Sequence, residues 1–132
     1  MSVDFTGSWK ADLSRSKLLG VQPKAMTVDI AHSEPELRQE IVVTREDGSD
    51  ERITFRCRTN GEPHQCRFNG NEVRGSAHWQ GEQLVIEMWM QHGEREFYLW
   101  DCWSLSADGQ TLTMEHRNDA LAGQIAVLRR IN

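Results

Sequence analysis

Along most of this chain apolar and polar residues alternate one for one, as in "ELRQEIVVT" (36–44) and "QLVIEMWMQ" (83–91). No window sustains the i, i+3, i+4 apolar spacing of a helix, so a period of two governs and the chain is expected to be all-β. The alternation predicts strands near 5–13, 25–32, 36–45, 51–58, 64–68, 73–80, 83–91, 94–105, 111–118 and 124–131. They are separated by Asp47-Gly48, Asn60-Gly61, Asn69-Gly70, Gly81-Glu82, His92-Gly93 and Asp108-Gly109, pairs whose glycine admits the positive φ of tight hairpins. The one longer connection, "SRSKLLGVQPKA" (14–25), contains Pro23 and is expected to hold a short helical turn or to lie as a loop over one end of the fold.

Short strands in up-and-down order leave two edges exposed unless the sheet curls shut, so we expect a single antiparallel β-barrel of about 8 to 10 strands over residues 1–132. Each hairpin then fixes which side chains share a face. A two-residue loop at His92-Gly93 would set Met90 opposite Arg95, Met88 opposite Phe97, Ile86 opposite Leu99 and Leu84 opposite Asp101. The same face takes in Gln39, Ile41, Ile53, Phe55, Cys57, His64, Cys66, Phe68, Val73, Trp79, Trp103, Met114 and His116, with Met26 also inward. The opposite face gathers Trp89, Tyr98 and Trp100, with Arg74 facing Trp89. Clustered exposed aromatics mark contact surfaces, and a homodimer through this sheet is expected.

Composition narrows the function classes. A net charge of −5 with both signs interspersed offers no basic face for nucleic acid. No stretch reaches the length of a membrane span, and "MSVDFTG" lacks a signal-peptide pattern, so a cytoplasmic location is expected, or a secreted or periplasmic one if a leader has been trimmed. Three cysteines are too few for a disulfide scaffold; Cys57 and Cys66 are expected to face each other as thiols. His32, His64, His116 and Asp101 have no recognised metal spacing, and neither a metal nor a cofactor is expected.

The opening "TGSWKAD" (6–12) resembles the G-x-W signature of the calycin superfamily. In that superfamily the glycine bends the first strand and the tryptophan plugs the closed end of a barrel beneath an arginine from the last strand. The resemblance implies these roles for Gly7, Trp9 and an arginine of "QIAVLRRIN", Arg129 or Arg130. Arg129 is taken as the closing residue; separately, it matches the arginine that intracellular fatty-acid-binding proteins place on their last strand, although Ile131 stands where that family has a tyrosine. "GSWKADLSRSK" (7–17) and "SADGQTLT" (106–113) are most similar to small bacterial lipocalin-like proteins. The implied fold is a calycin, lipocalin-like barrel, and the implied partner is a small apolar molecule.

Polar groups on an otherwise apolar inner wall must be paired or hydrated, or must meet a ligand. Phe55, Phe68, Trp79, Met88, Arg95, Phe97, Asp101, Trp103, Met114 and His116 are therefore the expected ligand-binding residues, with thioethers adapting to irregular apolar shapes. The function expected is non-catalytic binding of a small, largely apolar ligand. Two other readings remain open. One is an enzyme using Asp101 and His116 as an acid–base pair on a small hydrophobic substrate. The other is an interaction module working through Trp89, Tyr98 and Trp100.

Overall fold

A computed structural model describes residues 3–118 and 123–131. Ten strands form in sequence order: β1 (Gly7–Ala11), β2 (Ala25–Ser33), β3 (Glu36–Thr44), β4 (Asp50–Arg58), β5 (His64–Phe68), β6 (Asn71–Gln80), β7 (Gln83–His92), β8 (Arg95–Leu105), β9 (Thr111–Asn118) and β10 (Gly123–Arg130). Each pairs antiparallel with its neighbours in sequence, and β1 pairs with β10 through Trp9↔Arg130, Lys10↔Arg129 and Ala11↔Leu128. The sheet is thus a closed, ten-stranded, up-and-down barrel, in which the first and last strands pair with each other instead of standing as open edges.

The hairpins follow from turn chemistry. Asn69 and Gly70 both take positive φ, 51° and 80°, between the paired Phe68 and Asn71, as a two-residue type I′ loop requires. The β7–β8 hairpin departs from expectation by two residues: Met90 pairs with Phe97, Met88 with Leu99, Ile86 with Asp101 and Leu84 with Trp103. The reason is local. Gly93, with φ 64°, is the first residue of the loop rather than the second, so His92 is the last paired residue and faces Arg95. A shift of two preserves parity, and every side chain stays on its expected face.

Segment 14–24 contains no helix; it lies against β10 through a Lys17↔Ile125 bridge and a hydrogen bond from the Leu19 N–H to Gln124 Oε1 at 3.1 Å. Among the described residues no helix is long and apolar enough to cross a membrane.

The interior is one apolar cluster contributed by all ten strands. Two glycines are positioned by its geometry. Gly7 has φ 147°, a conformation open chiefly to glycine, where β1 starts. Gly75 sits where β6 and β7 approach closely: a Cβ there would lie 2.8 Å from the Glu87 carbonyl oxygen and 3.0 Å from Cys66 Sγ.

Candidate functional site

One end of the barrel is filled by aromatic rings. Phe5, fully buried, stacks on Trp79 at 5.8 Å and on His32 at 5.7 Å, and meets Trp103 edge-on at 5.6 Å. Trp9, also fully buried, donates its indole N–H to the Phe5 carbonyl at 3.1 Å. The guanidinium of Arg130 lies 4.3 Å above the Trp9 ring and donates to the carbonyls of Thr6 and Gly109 at 2.9 and 3.1 Å. Arg130, not Arg129, is therefore the covering residue. Alternation along β10 sends Ala126, Leu128 and Arg130 inward with Trp9, whereas Arg129 faces Lys10 on the exposed outer side.

A polar network seals this plug. The Phe5 N–H donates to His32 Nδ1 at 3.2 Å, so the ring's hydrogen resides on Nε2 and is donated to Glu34 Oε2 at 2.7 Å. Glu34 also accepts from the Thr59 hydroxyl and, at 2.8 Å, from the Trp79 indole N–H. Burial raises the Glu34 pKa, but the donors Thr59, His32 and Trp79 outweigh it and hold the carboxyl below its ordinary value. Trp79 and Trp103 were expected to contact a ligand; they belong to this plug instead, because the aromatic rings converge where the barrel closes.

The other half of the barrel holds a cavity of about 340 Å³. Its wall is formed by Met26, Ile41, Ile53, Phe55, Phe68, Met88, Leu99, Met114 and Ala126, with Leu19 contributed by the segment after β1. Four polar residues join them: Gln39, Asp101, His116 and Gln124. Of the ten residues expected from alternation to meet a ligand, Phe55, Phe68, Met88, Asp101, Met114 and His116 line this space. Arg95 is exposed, its guanidinium 4.9 Å above the Phe97 ring, and neither residue is part of the wall. Met26, Gln39, Ile41, Ile53 and Leu99 had been expected on the inner face but not at a ligand, and Leu19, Gln124 and Ala126 were missed altogether. The β10 pair was legible from the alternation that also selects Arg130; Leu19 lies outside any strand, where periodicity gives no signal.

Asp101 and His116 are directly opposed on β8 and β9, and His116 Nδ1 lies 2.5 Å from Asp101 Oδ1. That hydrogen bond raises the His116 pKa against the opposing effect of burial. With Gln39 and Gln124, the pair makes up the polar part of a mainly apolar wall.

The remaining candidates have other partners. Phe55↔Phe68 and Arg56↔Arg67 set the β4–β5 register, which brings the buried thiols of Cys57 and Cys66 next in line; both are free cysteines. The hydrogen bond between them, with burial, pushes the Cys57 thiol up. His64 Nε2 accepts the Arg58 N–H at 2.8 Å and lies 3.4 Å from Cys66 Sγ, while Nδ1 donates to the Glu62 carbonyl. Trp89, Tyr98 and Trp100 are half-buried on the outer face. Arg74 covers Trp89 at 4.8 Å, Arg117 covers Trp100 at 5.1 Å, and the Tyr98 hydroxyl donates to Glu87 at 2.6 Å.

The fold has a counterpart among solved structures. Secretory abundant heat soluble protein 4 from Ramazzottius varieornatus superposes with a TM-score of 0.65 over 98% of this chain and 96% of its own, at 10% sequence identity. At that identity the likeness is one of fold alone. No family model matches the sequence, and no curated protein matches it.

Proposed function

We propose that this protein binds a small, largely apolar molecule inside the barrel without transforming it. The observation that carries this reading is the cavity of about 340 Å³ beyond the aromatic plug, walled by apolar side chains and thioethers. That volume falls at the lower end of ordinary ligand pockets. A protein needing only a core could have filled the space with larger side chains, as it did around Trp9 and Trp103. Of the lining residues only His116 can be cationic, and the Asp101 carboxylate beside it balances or exceeds that charge, so the wall offers no net positive charge. With Gln39 and Gln124 beside them, Asp101 and His116 favour an uncharged head that both donates and accepts hydrogen bonds over a free carboxylate.

Native mass spectrometry of gently purified protein, followed by solvent extraction of whatever leaves on unfolding, tests this directly. An extra mass lost on denaturation is the expected result. The second arm uses the neutral fluorophore N-phenyl-1-naphthylamine on wild type and on Ala126→Phe, a substitution that fills the wall at a buried position. Wild type should bind one equivalent and the variant none while remaining folded. A clean apo mass together with equal, non-saturating fluorescence from both proteins rejects the reading. The Asp101–His116 hydrogen bond also supports a second reading, acid–base catalysis on a small hydrophobic substrate. In that case Asp101→Asn should abolish turnover with probe binding intact.

A further inference from the structure

The outer face of the barrel carries a separate concentration of chemistry. Arg38 on β3 is directly opposite Arg56 on β4, and Arg56 is directly opposite Arg67 on β5. All three are exposed. Opposed residues of an antiparallel ladder stand about 5 Å apart at Cβ, close enough for like charges to repel. Nearby acids relieve little of this. Among the described residues the row makes a single ion pair, Arg67 with Glu72, at 3.9 Å. Of the two acids that share the groove, Glu40 is paired with Arg52 at 2.8 Å, whereas Asp29 accepts only the neutral Ser8 hydroxyl at 2.6 Å and keeps its charge, leaving three guanidinium groups against one uncompensated carboxylate. The groove has a volume of about 660 Å³ and crosses β1 to β5 over this row.

We propose that Arg38, Arg56 and Arg67 form a binding site for a small phosphate-bearing anion. A guanidinium offers its N–H groups as a planar fork that matches two phosphate oxygens, and adjacent forks can share one phosphate or grip two linked ones. The anion would turn three mutually repelling charges into three partners of one group. With a net charge of −5 the protein as a whole does not attract anions at long range, so binding must come from this row. The groove exceeds what inorganic phosphate needs and leaves room for an organic portion of the molecule. The site lies on the opposite side of the sheet from the interior cavity, so the inference does not depend on the interior ligand.

Calorimetric titration with inorganic pyrophosphate at low ionic strength tests it, using wild type, Arg56→Gln, Arg38→Gln and Arg117→Gln. Arg117 lies on β9, already paired with Glu115, and its replacement removes the same charge away from the row. Wild type should give saturable binding, weakened about tenfold or more by Arg56→Gln or Arg38→Gln and unaltered by Arg117→Gln. Without pyrophosphate, Arg56→Gln should melt at or above the wild-type temperature because a repulsion has been relieved, which separates lost binding from lost folding. No saturable heat up to about 1 mM pyrophosphate, or equal weakening by Arg56→Gln and Arg117→Gln, overturns the proposal.

Discussion

Replacing Arg130 with alanine removes three interactions at once, and their geometry sets the expected cost. The guanidinium lies 4.3 Å above the fully buried Trp9 ring, a cation–π contact worth about 1–2 kcal/mol when desolvated. It also donates to the Thr6 and Gly109 carbonyls at 2.9 and 3.1 Å. Hydrogen bonds from a charged donor are worth about 1.5–3 kcal/mol, but partial exposure places these two nearer about 0.5 kcal/mol each. The expected loss is about 2–3 kcal/mol. At an unfolding entropy of about 2.1 cal/mol/K per residue, a chain of 132 residues should lose about 7–11 °C in Tm. Arg129→Ala, one residue earlier but on the outer face, should change stability by less than about 0.5 kcal/mol. Arg130→Lys keeps the charge without the planar fork and should recover less than half of the loss. Urea unfolding followed by tryptophan fluorescence, with thermal melts by circular dichroism, measures all three. A cost below about 0.5 kcal/mol for Arg130→Ala, or an equal cost at Arg129, would refute the assignment of Arg130 as the barrel's closing residue.

Other expectations follow from individual contacts. His116 has a raised pKa owing to Asp101, so the pair's contribution to stability is full below the unfolded histidine value of about 6.5 and fades as pH climbs through the raised folded value. The stability gap between wild type and Asp101→Asn should accordingly shrink from pH 6 to pH 9 in denaturant titrations; a gap that widens instead would contradict the pairing. Gly75→Ala forces a Cβ to within 2.8 Å of the Glu87 carbonyl and should cost about 1–3 kcal/mol by urea unfolding, with an unchanged midpoint arguing against close packing of β6 on β7. Iodoacetamide without reductant should label the half-buried Cys102 first and reach Cys57 and Cys66 only on unfolding, for a total of three alkylations by mass. A total of one would reveal a Cys57–Cys66 disulfide.

Much of the fold was legible because β structure with tight turns is written locally. Alternation states which residues share a face, and pairs such as Asn69-Gly70 state where the chain reverses. Parity also explains the limits of that reading. A slip of two residues leaves every side chain on its expected face, so the β7–β8 register escaped sequence reasoning although the inner wall did not. The candidate site was less legible, because depth along the barrel does not enter the pattern. Trp79, Trp103, Met88 and Met114 have the same parity, yet the first two pack into the plug around Phe5 and the last two face the cavity. The network of His32, Glu34, Thr59 and Trp79 had no sequence signal at all, since its members come from β2, β6 and two connections.

The sequence by itself determined the strands, most of the turns, the inner and outer faces and the necessity of closure, since each follows from periodicity, glycine conformations or the cost of open edges. Tertiary structure decided which end of the barrel is sealed and that the opposite half remains hollow. It also aligned Arg38, Arg56 and Arg67 into one row. These outcomes depend on how far each strand is staggered against the next, a quantity fixed by packing across the whole barrel.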